Sequence, residues 1–408
     1  MTTFAIFIFA TINILVAVKF YTIKDGVFQY PFLFSCVNIA FVLPQMSSII
    51  SSGSCTVYEI AFSLCVYISC TVGLVMGYLL GQNSRIKLHN HHPNINFSFS
   101  LVLMFAVGAV ASILNRGAYK GGFVSGTYVV INFFTSFLTY SLISFFILHH
   151  KSPKYKRLAL FFIFIGVLIV IDEILSSGRR AESIFLFLVC SRFLFLNSIT
   201  KYSKYKWVVP AFFIVGTMAN TQISQYRNNA YDESVSFMQN VQSLDFKTSS
   251  KDIGTNSHGE IYNSFKGIIF CLDNNAYDYG LYNWNGAIRD FLPKSIIGEW
   301  KNKLLYRTKS SSLTSRLTAS GSTMTGYYDA FSSFSIFAFV KFLLVGFCMG
   351  RVWMKALNND FYKVLYWGTL VPALHLITHS SCYFFNSIVF FILFVLPFFI
   401  TCKYKVKQ

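Results

Sequence analysis

Apolar runs of roughly 20 residues recur along almost the whole chain and are separated by short polar stretches. A helix of that length crosses a hydrocarbon core of about 30 Å and satisfies its own backbone hydrogen bonds. The pattern therefore predicts an all-α polytopic integral membrane protein with about eleven transmembrane helices. They are expected at residues 2–19, 28–51, 57–80, 97–114, 127–148, 158–175, 182–200, 207–223, 331–350, 362–380 and 384–402.

Residues 221–330 interrupt this series of apolar runs. The segment holds more than half of the acidic residues and two of the five tryptophans, so it is expected to form one large, folded loop between the eighth and ninth helices. Two amphipathic helices are predicted inside it, from about Ile261 and from about Trp284, lying on the membrane surface or capping a cavity between the spans. The second should end before Pro293, which disfavours helical geometry in the preceding residue. The chain thus divides into residues 1–220, 221–330 and 331–408.

Basic residues mark alternate connections between the predicted helices. Under the positive-inside rule these connections face the cytoplasm, which places the N-terminus and the large loop outside and the C-terminus inside. The short outer connections hold only Arg116, Lys120, Arg179 and Arg180. The inner connections hold Lys19 and Lys24; Arg85 and Lys87; Lys151, Lys154, Lys156 and Arg157; Lys201, Lys204 and Lys206; Arg351, Lys355 and Lys363; and Lys403, Lys405 and Lys407.

The composition excludes several classes of protein. Of the 408 residues, 54% are hydrophobic and 12% are charged, against about 25% charged in a soluble domain. The net charge of +18 is spread over small clusters, so nucleic acid is not an expected partner. The cysteines show no metal-ligand spacing, and the chain lacks a phosphate-binding glycine loop, a nucleophile elbow and a carboxylate cluster. ATP-driven transport and a metal-dependent, nucleotide-sugar glycosyltransferase are therefore disfavoured, and no cofactor or metal is expected.

A set of basic side chains is predicted at the outer face of the membrane. Guanidinium groups bind phosphate oxygens in a bidentate manner and keep their charge, so this set suits an anionic group such as the diphosphate of a lipid carrier. The alternative is that these side chains pair with lipid head groups or with loop carboxylates. The candidates are Arg116, Arg179, Arg180, Arg227, Arg289 and Lys294.

A glycosyl transfer would also need a base that takes the proton of an attacking hydroxyl group. His258 is the only histidine in the large loop, and Asp278 is one of several carboxylates there. His379 follows His375 by one turn near the outer end of the tenth helix. Solvated side chains, salt bridges or hydrogen bonds between helices would explain each of these residues equally well.

Three segments resemble the Wzy-type O-antigen polymerases, the oligosaccharide repeat-unit polymerases of the bacterial inner membrane. Leu175–Ala181 is similar to the Gly/Ser-Arg turn that opens a helix in that family. Tyr279–Ile296 resembles its Gly-Tyr and Ile-Pro-Arg segments, with Lys294 where many members have arginine. Gly321–Phe331, followed by Phe337–Gly350, resembles the small-residue stretch that leads into the last helices.

The resemblance implies a metal-independent glycosyl transfer at the periplasmic face of the inner membrane. A growing glycan would leave undecaprenyl diphosphate and join a hydroxyl group of the next lipid-linked repeat unit. The implied partners are the lipid-linked donor and acceptor and membrane lipids, together with a chain-length regulator and a repeat-unit flippase. Two alternatives remain open: an O-antigen ligase, which shares this architecture, and a non-catalytic polysaccharide or lipid transporter.

Overall fold

The computed structural model describes residues 2–84, 95–115, 127–177, 180–218, 239, 259–292, 294–308 and 324–401. Within this part of the chain the regular elements are helices and no β-strand occurs, as the apolar runs predict. The helices are α1 (Thr2–Thr22), α2 (Tyr30–Ser52), α3 (Val57–Asn83), α4 (Phe99–Asn115), α5 (Thr127–Lys151), α6 (Lys156–Ser177), α7 (Arg180–Cys190), α8 (Ile199–Tyr205), α9 (Val208–Met218), α10 (Glu260–Asn274), α11 (Leu281–Phe291), α12 (Lys294–Ile297), α13 (Trp300–Leu304), α14 (Gly326–Phe334), α15 (Phe339–Ala356), α16 (Asp360–Thr378) and α17 (Cys382–Ile400).

The described helices include the long apolar helices of a multi-pass membrane protein. Six are long and apolar enough to cross a membrane, namely α1, α2, α3, α5, α6 and α17. The bent pair of α14 and α15 adds a seventh if the pair is counted as one span. The other predicted spans correspond to the shorter or more polar helices α4, α7, α9 and α16, so the count of eleven stays a prediction.

The prediction of one helix over residues 331–350 is wrong. The chain forms α14, turns at Ser335 and continues as α15, with a bend of 114° between the two parts. Ser335 has a φ of 51°, in the left-handed region that a right-handed helix cannot contain. α14 therefore runs across the axis of α15 at one end of the bundle.

A parallel pair of helices, α3 and α15, packs with unusually close backbones. Glycines at four-residue spacing on each helix face carbonyl groups of the other, and a Cβ atom at any of them would lie nearer than 3.0 Å to a backbone oxygen. Small residues allow this approach because they remove the side chains that would separate the helices. The contacts join Gly73 to Phe339, Gly77 to Leu343, Gly81 to Phe347, Gly346 to Leu74 and Gly350 to Tyr78.

The two ends of the helix bundle differ in charge. One end, called the basic end below, collects the described connections whose Lys and Arg residues predict the cytoplasmic side. Polar contacts join these connections: Lys206 to the Tyr21 carbonyl, Arg192 to Asp25, Lys151 to Asp360 and Arg351 to the Ser84 carbonyl. The opposite end, called the loop end, carries α10 and α11. This segregation is what the predicted topology requires, and the side of the membrane that each end faces stays a prediction.

Candidate functional site

Helix α10 packs onto the beginning of α3 and onto α14 at the loop end. Its apolar stripe is buried there, so α10 caps this end of the bundle. Three hydroxyl groups meet in the contact, where Tyr67 donates to Ser264 Oγ at 2.8 Å and Ser264 lies 2.7 Å from Thr325 Oγ1. At the edge, Lys266 Nζ lies 2.7 and 2.9 Å from the two carboxylate oxygens of Glu59.

Replacing Tyr67 by phenylalanine is expected to loosen α10. The substitution keeps the ring and removes the phenolic donor to Ser264, a hydrogen bond that contributes about 1 kcal/mol. We expect the free energy of unfolding to fall by about that amount and backbone amides of α10 to exchange with deuterium faster. Tyr58→Phe is the matched control because the Tyr58 side chain is exposed. Equal exchange in α10 for both variants would contradict the described contact.

A buried ion pair crosses the bend between α14 and α15. Lys341 Nζ lies 3.0 Å from Asp329 Oδ1, and the two side chains are 3% and 2% exposed. Lys341 also donates to Ser333 Oγ at 3.0 Å. The other carboxylate oxygen of Asp329 accepts from the backbone N–H of Ser381 at 2.8 Å and from the Ser381 hydroxyl. The pair therefore ties α14 to α15 and to the connection between α16 and α17.

Asp278, one of the three predicted bases, is buried beside this ion pair. Its carboxylate accepts hydrogen bonds from the backbone N–H of Gly280 at 2.8 Å, from Ser332 Oγ at 2.6 Å and from Ser333 Oγ at 3.2 Å. The backbone N–H of Asp278 donates to the Ser332 carbonyl at 2.8 Å. These contacts indicate that Asp278 joins the turn before α11 to α14. Its role as a base stays a prediction.

His379, the second predicted base, follows the last residue of α16. Its Nδ1 lies 2.7 Å from Thr378 Oγ1, and its ring centre lies 5.0 Å from that of His375. Tyr383 approaches both imidazole rings edge-on, at 5.4 and 5.5 Å, and its own side chain is half exposed. His379 is thus partly buried among aromatic rings at the loop end of the bundle, where Asp278 also lies.

Helix α11 runs beside α17 in the same direction. Near its start, Asn283 accepts a hydrogen bond from Ser381 Oγ at 3.1 Å, and further along Asn386 Nδ2 donates to Asp290 at 2.6 Å. At its end, the Phe291 ring meets Phe133, which also contacts Phe390. With a rise of 1.5 Å per residue, Phe390 is about 12 Å along α17 from its first residue. α11 therefore runs along the first part of α17, from the loop end towards the basic end.

Arg289 lies on this descending helix and points its guanidinium group to the surface. The side chain is 64% exposed, and Nε lies 3.3 Å from Asp290 Oδ1. Because Asp290 bonds Asn386, Arg289 lies at roughly the level of Asn386, about 6 Å along α17. Lys301 Nζ donates to the Arg289 carbonyl at 3.0 Å and adds a second cation to the same surface. Arg289 and Lys301 are called the α11 cation pair below.

Lys294, the other described diphosphate candidate, begins α12. Its Nζ lies 2.6 Å from Glu299 Oε1, and both side chains are exposed. The hydrogen bond from Lys294 lowers the pKa of the Glu299 carboxyl group. Lys294 thus forms an ion pair with a carboxylate between α12 and α13. Asp290, the carboxylate beside Arg289, also accepts a hydrogen bond from Asn386.

Exposed aromatic side chains lie in the same part of the loop as the α11 cation pair. The backbone of residues 304–306 is hydrogen-bonded to α11: Trp284 Nε1 donates to the Leu304 carbonyl at 2.9 Å, and Asn285 makes two hydrogen bonds to the Tyr306 backbone. The side chains of Trp284, Trp300 and Tyr306 remain largely exposed. Exposed aromatic rings on a backbone held in place offer flat apolar surfaces, to which sugar rings and lipid interfaces both bind.

Four predicted site residues lie outside the described part of the chain: Arg116, Arg179, Arg227 and His258. Arg180 is the first residue of α7, and its side chain is also outside the description. The structure therefore brings Arg289, Lys294, Asp278 and His379 to one end of the bundle and leaves the others as predictions. Lys341, Ser381 and Asn386 were missed by the sequence analysis, although a lone lysine inside an apolar run was a visible signal.

The comparisons with known proteins assign no family to this chain. No protein-family model, no curated protein and no solved structure matches it. Among the described residues, no group of three or more His, Cys, Asp or Glu side chains is placed to bind a metal ion. A function for this chain is therefore inferred from the side chains at the loop end.

Proposed function

We propose that this protein is a bacterial polysaccharide polymerase that transfers a growing glycan from undecaprenyl diphosphate to an incoming lipid-linked repeat unit. The observation that carries the proposal is the exposed Arg289, presented on α11 beside the beginning of a membrane-spanning helix. A diphosphate at the end of a membrane lipid lies at this level, because its carrier chain stays in the hydrocarbon and its charge stays in the head-group layer.

The α11 cation pair supports binding of the leaving group in this scheme. The acceptor hydroxyl oxygen attacks the anomeric carbon of the donor glycan, and the bond from that carbon to the diphosphate oxygen breaks. The electron pair leaves on the diphosphate, where Arg289 and Lys301 offset the growing negative charge. The hydroxyl proton passes to a base, for which His258, Asp278 and His379 remain the candidates. The diphosphate supplies the driving force, so the transfer needs no nucleotide.

The exposed aromatic rings support glycan binding in the same proposal. Trp284, Trp300 and Tyr306 are exposed side chains on α11 and in the segment that follows it. Sugar rings have apolar faces that pack on such side chains, while their hydroxyl groups bond to neighbouring amides such as Asn283. A repeat unit could thus be held above the bilayer while its lipid remains below.

The proposal includes a topology in the bacterial inner membrane. About eleven spans place the N-terminus and the loop end in the periplasm and the basic end and the C-terminus in the cytoplasm. The gathering of Lys151, Arg192, Lys206 and Arg351 at one end supports this orientation. Access of a membrane-impermeant thiol reagent to single cysteines at the two ends, in intact cells, measures it directly.

Replacing Arg289 by alanine is expected to slow polymer formation by about one to two orders of magnitude. Charged hydrogen bonds to a phosphate contribute about 1.5–3 kcal/mol, and each 1.4 kcal/mol corresponds to a factor of ten. The assay uses the purified full chain in liposomes with lipid-linked repeat units, and it measures the length of the product by gel electrophoresis. Arg289→Lys should retain part of the activity, because it keeps the charge and loses the bidentate geometry.

Lys355→Ala is the control for loss of a cation, since Lys355 lies in the last turn of α15, at the end of the bundle opposite Arg289. Equal rates for the Arg289 and Lys355 variants would remove Arg289 from the mechanism. The assay also separates the alternatives. Transfer of finished glycan to a lipid core without any lengthening would identify a ligase, and the absence of any glycosidic bond formation would favour a transporter.

A further inference from the structure

A crevice opens on the side of the bundle between α15, α16 and α17, away from the loop end. Its volume is about 220 Å³. Met349, Thr369 and Phe384 are buried and form its floor. The walls are partly exposed side chains of α15, α16 and α17, namely Phe347, Cys348, Val352, Leu365 and Ile388.

The side chains that line this crevice offer water almost no hydrogen-bond donors or acceptors. The one hydroxyl group in the floor, Thr369 Oγ1, already donates to the Leu365 carbonyl at 2.7 Å. An apolar cavity of about 150 Å³ is known to stay dry and to take an apolar ligand, and this crevice is larger. Since α17 is a candidate membrane span, lipid chains surround the opening. A hydrocarbon chain therefore fits the crevice better than water does.

Arg351 lies on the wall of the crevice nearest the basic end. One of its terminal nitrogens donates to the Ser84 carbonyl at the end of α3. The positive charge of this guanidinium group at the end of the crevice favours a ligand that carries an anionic group.

We propose that the crevice binds one anionic phospholipid, with an acyl chain along the apolar walls and the phosphate on Arg351. The positive charge of the basic end, to which Lys363 also belongs, selects a head group with net negative charge over a zwitterionic one. The site is separate from the proposed diphosphate site, because Arg351 and Arg289 lie at opposite ends of the bundle. It is also independent of the reaction that the loop end carries out.

Cysteine alkylation tests this site in the unaltered protein. Cys348 lines the crevice, whereas Cys65 is exposed on α3 and serves as an internal control. The purified full chain is treated with N-ethylmaleimide in detergent, with or without phosphatidylglycerol or phosphatidylcholine, and both cysteines are quantified by peptide mass spectrometry. We expect phosphatidylglycerol to slow alkylation of Cys348 severalfold, phosphatidylcholine to slow it less, and neither to affect Cys65.

Two variants separate the parts of the site. Arg351→Gln should remove the preference for phosphatidylglycerol, while Ile388→Trp should fill the crevice and reduce retention of either lipid in native mass spectrometry. Lys355→Gln changes a residue on the same helix but outside the crevice. This variant should leave the lipid preference and the lipid retention unchanged. Equal protection of Cys348 by the two lipids, or protection that survives in Arg351→Gln, would overturn the assignment of the phosphate to Arg351. Unchanged alkylation with every lipid would overturn the site itself.

Discussion

Replacing Lys341 by methionine is expected to lower the free energy of unfolding by about 3–5 kcal/mol. The substitution leaves Asp329 charged, buried and without its cation, and it also removes the donor to Ser333. An uncompensated carboxylate in a dry environment carries nearly its whole desolvation penalty. The measurement is the denaturation midpoint of the purified protein in detergent, together with the yield of folded protein from membranes.

Two further variants separate this effect from a general loss of charge. Lys355→Met removes a cation from the other end of α15 and should change stability little. The double variant Asp329→Leu with Lys341→Met removes both charges, and it should be more stable than the single Lys341 variant because no charge remains unpaired. A single variant as stable as Lys355→Met would show that the pair is hydrated and does not hold the bend.

Replacing Gly77 by alanine is expected to destabilise the protein by about 1–3 kcal/mol, despite the higher helix propensity of alanine. The added methyl group would overlap the backbone oxygen of Leu343, so α3 and α15 would have to move apart along their whole contact. A larger residue such as valine should cost more. The readout is again the denaturation midpoint, with helix content checked by circular dichroism.

Gly216→Ala provides the control for helix propensity. Gly216 also lies in an apolar helix, α9, and an added Cβ atom there meets no atom of the described residues within 4 Å. This variant should be as stable as the natural protein or slightly more so. If alanine is tolerated equally at positions 77 and 216, the two helices do not approach as closely as described.

The hydrophobic pattern was sufficient to predict an all-helical chain and the starts of several long helices, because the length of an apolar run is a local property of the chain. The predicted starts at residues 2, 57 and 127 coincide with those of α1, α3 and α5. The end of α11 before Pro293 was also predicted correctly, for the steric reason given. The charge clusters predicted which connections lie at the same end of the bundle. They could do so because each connection carries its own basic residues.

The bend at Ser335 was not predictable from the apolar pattern. Residues on both sides of it are apolar, so hydropathy alone favours one continuous helix. The turn depends on a left-handed residue and on the ion pair between Asp329 and Lys341, which are contacts of the folded chain. A lysine that interrupts an apolar run was the available clue, because such a charge needs a partner.

The glycine contact was predictable in part. Gly73, Gly77 and Gly81 repeat at a spacing that places them on one face of a helix, and Gly346 and Gly350 do the same. The sequence indicates two faces of small residues but does not pair them. That pairing follows from the bundle as a whole.

The candidate site was predicted only in outline. Arg289 was recognised as a cation of the loop, but its level along α17 depends on Asp290 bonding Asn386, almost a hundred positions away in the chain. Asp278 was proposed from its chemistry alone, and its three donors became visible only in the structure. The sequence shows which side chains are present, whereas their surroundings in the folded protein determine which of them can react.

The parallel contact between α3 and α15 has a consequence for biogenesis. Residues 84–338 separate the two helices, so α3 leaves the ribosome and enters the bilayer long before its partner exists. During that interval the glycine face of α3 lacks the partner that it has in the folded protein, and assembly of this contact waits for the last sixth of the chain. Chains that stop before Phe339 should therefore insert and still be removed by membrane proteases.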